Sequence, residues 1–132
     1  MTKKVFILFS LVSILILLCY TLLFSNYVFP WQKKNAIETT LVWSGIVSLP
    51  VNYDEVTVTQ EGSVFTRQFV LEFETSKENI EKWVKTDKGF KNVSFTTKYN
   101  RTIYDFHPGK ESSYGGTVTI QNNKVLINMS WS

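Results

Sequence analysis

An uncharged apolar stretch near the N-terminus constrains this chain more than any other feature. It runs from Val5 to Phe29 without a single Asp, Glu, Lys or Arg. A helix of roughly 25 residues crosses about 30 Å of hydrocarbon with some tilt. Its polar side chains are small, and their hydroxyl or thiol groups can bond to helix carbonyls. We therefore predict a transmembrane helix over 5–29, preceded by a cytoplasmic stub at 1–4.

The residues on both sides of this stretch are typical of a membrane interface. Two lysines precede it and two follow it, and aromatic side chains stand at its far end, where they prefer the headgroup level. Together with the α-amine, the basic groups favour a cytoplasmic N-terminus. We predict a single-pass protein of the inner or plasma membrane with its C-terminal domain outside the cytoplasm. The predicted interface residues are Lys3, Lys4, Tyr27, Trp31, Lys33 and Lys34.

Three other interpretations of the stretch were weighed. A cleaved signal peptide has a shorter apolar run followed by a small-residue site, and Ala36 is the only alanine in the chain. Lipidation of Cys19 would require a small preceding residue, and Leu18 stands there. A buried helix of a soluble protein is disfavoured, because the remaining chain is too short to wrap an element that is apolar on every side.

Charge and cysteine content exclude some classes of protein. Four of the 14 basic residues flank the apolar stretch, and the rest are balanced by the 11 acidic residues. The sequence therefore lacks the basic patch of a nucleic-acid-binding protein. Cys19, the single cysteine, lies in the predicted span, so the domain has no disulfide, which favours a bacterial envelope protein. No cofactor is predicted.

Beyond a short polar linker at 30–40, we predict one folded domain over 41–132. Alternation of apolar and polar residues at 54–60 and 64–74 predicts a β-hairpin with one buried face. Residues 41–50 are ambiguous between a strand and a turn.

A helix is expected next, from Ser76 to Lys88. Thr75 or Ser76 can cap its start, with Glu78 reaching back to complete a capping box. Trp83 docks the helix on the sheet, and Gly89 is the expected left-handed stop. Extended segments follow, and the last two flank Asn122-Asn123, which suits a tight hairpin turn. The predicted order is ββαβ(β)ββ, an α+β fold with one helix on one face of a small antiparallel sheet.

Several short elements resemble small uncharacterised bacterial proteins that have a signal or anchor segment and one compact domain. This resemblance implies a fold and brings no activity with it. The matching elements are Leu49-Pro50, Arg67-Gln68-Phe69, Trp83, Tyr104-Asp105-Phe106-His107-Pro108 and the terminal Trp131-Ser132.

Catalytic chemistry has weak support. His107 is the only histidine, and Ser112 and Ser113 follow it closely, so a hydrolase is the alternative function. No nucleophile elbow surrounds either serine. One histidine and scattered carboxylates give no metal-ligand spacing. Glu72 and Glu74 share a strand face, where paired acids usually serve solubility. We predict no catalytic, cofactor or metal residue.

The leading hypothesis is a non-enzymatic, membrane-anchored module that binds a protein partner, as an accessory subunit, envelope factor or inhibitor. Candidate contacts are a loop containing His107, Pro108 and Tyr114, and a C-terminal edge strand that could add to a partner's sheet. Aromatic residues make up 15% of the chain, which suits either a small core or an interface. A helix that acts as a subunit of a membrane bundle is a third hypothesis.

Overall fold

The six strands of the domain form one open antiparallel sheet in the order β1-β2-β6-β5-β4-β3. A computed structural model describes residues 2–62, 66–106 and 114–131. The elements are α1 (Lys3–Phe24), α2 (Pro30–Ser44), β1 (Thr57–Gly62), β2 (Arg67–Glu74), α3 (Lys77–Thr86), a 3-10 helix (Lys88–Phe90), β3 (Ser94–Lys98), β4 (Arg101–Phe106), β5 (Tyr114–Gln121) and β6 (Lys124–Trp131). The α+β class, the apolar N-terminal helix and the antiparallel sheet are confirmed.

Two tight turns contain residues with a left-handed backbone, and each of them includes an asparagine. Between β3 and β4, Tyr99 and Asn100 have φ of 51° and 60°, which is the pattern of a two-residue primed turn. Between β5 and β6, Asn122 has φ of 55°, and Gln121 pairs with Lys124 across the turn. Asparagine tolerates this region because its short side chain can bond locally.

The position of the last strand differs from the prediction. β6 was expected at a sheet edge, but it pairs with β2 on one side and with β5 on the other. Its alternate residues Val125, Ile127 and Met129 are completely buried. A central strand with all its ladder bonds satisfied cannot add to a partner's sheet, so this predicted contact is wrong.

The core lies on one face of the sheet. Leu71, Ile127 and Val118 occupy one cross-strand row, and all three are fully buried. Both α2 and α3 cover this face. The opposite face is open and carries polar and β-branched residues, including the cross-strand neighbours Asn128 and Thr117. This alternation is what the period of a β-strand produces when one face is buried.

Residues 30–44 form a helix where a linker and an ambiguous segment were expected. Pro30 occupies its first turn, a position that proline favours because its missing N–H has no helical partner there. The buried residues of α2 are Ala36, Thr40 and Ser44, spaced by four. These small residues let the helix backbone lie close to the sheet. They give almost no apolar periodicity, which is why the pattern reads as a polar linker.

Helix α1 ends earlier than the predicted span, and the chain that follows it already bonds to the sheet. Helix α1 ends at Phe24, and residues 25–29 are extended instead of helical. The Asn26 carbonyl accepts a bond of 3.0 Å from the Gln60 N–H, and Tyr27 forms an isolated β-bridge with Thr59. The chain therefore joins the sheet two residues after α1, well before residue 41, where the folded domain is predicted to begin.

Helix α3 begins and ends differently from its sequence signals. Ser76 is the N-cap, since its hydroxyl accepts a bond of 3.2 Å from the Asn79 N–H. Glu78 does not stand at the third helical position, so the expected capping box is not formed. The helix ends at Thr86, and Gly89 belongs to the 3-10 helix without a positive φ. The prediction of Gly89 as a left-handed stop is wrong.

The Asp87 carboxylate ties the chain after α2 to the end of α3. It accepts bonds from the backbone N–H groups of Val47 at 3.0 Å, Ser48 at 3.1 Å and Gly89 at 2.8 Å. Nearby, Trp83 Nε1 donates to the Ser48 carbonyl at 2.6 Å. These bonds hold the segment 45–48 against α3 although no regular secondary structure joins them.

We expect Asp87→Ala to destabilise the domain by about 2–4 kcal/mol, because backbone donors would lose a charged acceptor. The measurement is urea unfolding of the full chain in nanodiscs, followed by tryptophan fluorescence. Glu81→Ala, which removes an exposed carboxylate from the same helix, is the matched control and should change stability by less than about 0.5 kcal/mol. Equal effects of the two substitutions would contradict this role for Asp87.

Candidate functional site

The predicted catalytic and interaction loop falls outside the described residues. His107, Pro108, Ser112 and Ser113 lie in the gap between 106 and 114. Of the predicted loop residues, only Tyr114 has a described backbone, which begins β5 opposite Trp131. The hydrolase alternative and the loop contact therefore stay predictions.

The predicted interface residues lie in two different settings. Lys3 and Lys4 form the exposed first turn of α1. After α1, both Lys33 and Lys34 lie on α2, where Lys33 Nζ lies 3.4 Å from Glu55 and Lys34 Nζ lies 3.9 Å from Glu38.

The aromatic residues after α1 form a small exposed cluster. Tyr27 and Trp31 are 61% and 73% exposed. Phe29 stands between them, with its ring 5.2 Å from that of Tyr27 and stacked at 4.6 Å on that of Trp31. Large rings left open beside an apolar helix are typical of residues at the membrane–water boundary.

Helix α1 is long and apolar enough to cross a membrane, and the domain does not cover it. Its 22 residues extend about 33 Å at 1.5 Å per residue. None of them is buried, and residues 2–24 are all classed as exposed. An apolar helix with no protein packed on it requires another apolar environment. A span and a signal sequence both satisfy that requirement.

An open groove of about 640 Å³ lies between α3 and the β3–β4 hairpin. Its apolar floor comes from both sides, from Ile80 and Val84 of α3 and from Tyr104 and Ile120 of the sheet. Its volume is within the range of sites that bind small molecules or peptide side chains. Its polar rim consists of Lys77, Glu81, Lys85, Asn100, Asn122 and Asn123.

Tyr104 gives the groove floor a polar atom. Burial raises the pKa of its phenol above the ordinary value. The phenol therefore stays protonated at physiological pH and is able to donate a hydrogen bond to a ligand. Its ring contacts Phe90 at 5.2 Å and Phe95 at 5.4 Å, which keeps it in place.

The two edge strands of the sheet differ in whether another segment of the chain bonds to their outer side. The β1 edge is bonded by the chain at 26–27, through Asn26 and Tyr27. Strand β3 pairs only with β4, and all five of its residues are exposed. Phe95 on β3 is 62% exposed and Tyr99 in the following turn is 86% exposed. Within the described part of the chain, β3 is the free edge.

Of the two carboxylates that the sequence offers as an acid–base pair, Glu72 forms a structural ion pair. Glu72 lies 2.7 Å from Lys124 on the neighbouring strand, and this bond and charge raise the pKa of Lys124. Among residues 2–62, 66–106 and 114–131, no group of three or more His, Cys, Asp or Glu residues is arranged to hold a metal ion.

Sequence patterns did not indicate the groove or the free edge. The groove depends on Ile80 and Ile120, which are 40 positions apart in the chain. One signal was available: residues 88–104 contain Lys88, Lys91, Lys98 and Arg101 but no acidic residue. In a domain of balanced charge, such a segment indicates a surface of one sign.

Comparisons with models of known protein families, with characterised proteins and with solved structures found no match to this chain. The resemblance to small bacterial proteins therefore stays a prediction. The features of the described residues that bear on function are the exposed apolar helix, the groove and the free edge.

Proposed function

We propose that this chain is a single-pass membrane protein whose extracytoplasmic domain binds a protein partner without catalysing a reaction. The observation that supports a membrane anchor is that every residue of α1 is exposed although the helix is apolar. Against the described residues, no side chain of that helix is buried, so burial in lipid is the environment that accounts for its composition.

The junction between anchor and domain supports a role that depends on orientation. Only Ser25 separates the end of α1 from Asn26, whose carbonyl already bonds to β1. With so short a connection the domain has little freedom to turn relative to the bilayer. A tethered module of this kind presents the same surfaces outward at all times, which suits the recognition of a neighbouring protein.

The two free surfaces of the domain support the binding of a protein. An unpaired strand edge offers backbone donors and acceptors to an extended chain, and an apolar groove beside it offers space for side chains. In the described residues neither surface brings together a nucleophile, a base and an orienting group. This favours recognition over chemistry.

Orientation is tested by labelling single cysteines on intact cells. In a Cys19→Ser background, we expect Lys82→Cys on α3 to react with a membrane-impermeant maleimide. Thr2→Cys should react only after lysis. The reverse pattern would contradict the proposed side of the membrane, and labelling of both sites on intact cells would contradict the span.

Partner binding is tested by photo-crosslinking in cells from four surface positions. These lie on α2, on the groove rim, on the free edge and on the open sheet face. We expect an adduct of one defined mass from one surface and not from the others. Equal adducts from every position, or adducts from none, would contradict a specific partner. The positions are Asn35, Lys85, Phe95 and Thr119.

A further inference from the structure

We propose that the free edge of β3 accepts an extended, acidic segment of the partner protein as a seventh strand. This rests on the proposed function and specifies its binding mode. The proposal combines three features found at one place in the described part of the chain: unpaired backbone groups, an adjoining apolar groove and basic side chains without carboxylate partners.

The backbone of β3 offers two residues to a new strand. Across the two-residue turn, Lys98 and Arg101 are a hydrogen-bonded pair, and antiparallel pairs alternate between bonded and non-bonded. The pairs Thr97–Thr102 and Phe95–Tyr104 are therefore non-bonded. The N–H and C=O groups of Phe95 and Thr97 consequently point away from β4, toward the place of a seventh strand.

The groove supplies the apolar part of the recognition. Thr97 lines it, and the Phe95 ring contacts Tyr104 on its floor, so both side chains lie on the covered face. Paired residues of neighbouring strands point to the same face. Residues of the new strand opposite Phe95 and Thr97 would thus lie on the groove side of the sheet, where apolar side chains would be buried against the exposed Phe95 ring.

The basic side chains at the β3 edge indicate which polar residues the bound segment should carry. Lys98 and Arg101 face each other across β3 and β4, on the open side of the sheet. Like charges directly opposite are unfavourable. Within the described part of the chain, no carboxylate lies within ion-pair distance of either side chain. Arg101 bonds instead to Gln121 at 3.3 Å, and Lys98 Nζ lies 5.2 Å from the centre of the Tyr99 ring. Acidic side chains on alternate residues of the new strand would neutralise this pair.

Two other occupants fit less well. A second copy of the chain would bring one basic edge against another, and edge lysines are a device against such pairing. An anionic lipid surface would have to reach the edge farthest from the anchor. The anchor joins the sheet at β1, and β3 lies five strand spacings away, about 24 Å. An acidic, extended protein segment therefore fits best, with apolar and acidic residues in alternation.

The test is selection from a displayed library of random nonapeptides on the full chain in phosphatidylcholine nanodiscs. We expect enriched peptides to alternate apolar and acidic residues. Their binding should weaken at least tenfold with the double substitution Lys98→Glu/Arg101→Glu. The double substitution Lys34→Glu/Lys82→Glu changes the net charge equally on exposed residues of α2 and α3, outside the basic segment and the groove, and should alter binding less than twofold.

Backbone pairing is tested separately. Thr97→Pro removes an N–H that the β3–β4 ladder does not use, so the fold should persist while peptide binding falls at least tenfold. If this variant fails to fold, hydrogen–deuterium exchange of the unmodified chain provides the test. Bound peptide should slow the exchange of the Phe95 and Thr97 amide hydrogens at least tenfold. The Gln60 amide on the bonded edge should not change.

The outcomes separate this inference from the proposed function. Enriched peptides that lack acidic residues, or that bind equally well to both charge-reversed variants, would overturn the seventh strand. A result in which the chain enriches no peptide but binds separate phosphatidylserine nanodiscs would also overturn it. A partner crosslinked in cells only through Asn35 or Thr119 would also overturn it, while leaving the proposed function intact. The absence of any crosslink would contradict the proposed function itself.

Discussion

Two arginines in the middle of α1 should release the chain from membranes. Ile14 and Leu15 lie at the centre of the helix and are exposed on different sides of it. An arginine at the centre of a span costs about 2.5–3.5 kcal/mol on insertion scales, so the double substitution costs about 5–7 kcal/mol. We expect Ile14→Arg/Leu15→Arg to move the chain from the pellet to the supernatant after alkaline carbonate extraction of membranes.

The control exchanges the same two residues without adding charge. Ile14→Leu/Leu15→Ile keeps the helix apolar and should leave the chain in the pellet. An intact-mass measurement on the pellet should give the full 15.3 kDa chain, because a cleaved signal sequence would leave a lighter product. Retention of the arginine variant in the pellet, or a truncated mass, would contradict an uncleaved span.

The Gly89→Ala substitution should destabilise the domain by about 3 kcal/mol, because a side chain there has no space. A Cβ at residue 89 would lie 2.6 Å from Ile46 Cα and 2.7 Å from the Gly45 carbonyl oxygen. Both are backbone atoms, so they cannot move aside by changing a rotamer. We expect the midpoint of thermal unfolding of the domain, measured in nanodiscs, to fall by roughly 10 °C or more.

A second glycine separates crowding from backbone conformation. Gly45 ends α2 with φ of 75°, and a Cβ there would meet nothing within 4 Å. Gly45→Ala should therefore cost only about 1 kcal/mol, the penalty of a left-handed backbone for alanine. If the two alanine variants lose the same stability, close packing of Gly89 on residues 45–46 is not the reason for glycine at that position.

Local patterns predicted those parts of the fold in which residues near in the chain also interact in space. The hairpin of β5 and β6 follows from alternation on both sides of Asn122 and Asn123, and α3 follows from a capping residue before a short apolar stripe. Helix α2 escaped prediction because Ala36, Thr40 and Ser44 are small, and a stripe of small residues resembles polar sequence. These small residues allow α2 to pack closely on strands that are remote in sequence.

The candidate site was predictable only in its charge. Residues 88–104 are basic in the sequence as they are in the fold, because composition does not depend on tertiary contacts. The groove needed Ile80 and Ile120 to be brought together, and the free edge needed β6 to be placed inside the sheet. For this reason the sequence interpretation selected the wrong strand as the one able to pair with a partner.

The sequence by itself determined the apolar N-terminal helix, the α+β class and the chemical character of each strand face. These depend on the order of apolar, polar and charged side chains over a few neighbouring residues. The tertiary structure alone decided which strand is central, which edge is free among the described residues, and how soon the chain joins the sheet after α1. Those features depend on backbone hydrogen bonds between residues that are far apart in the chain. No local sequence pattern specifies which strands form those bonds with each other.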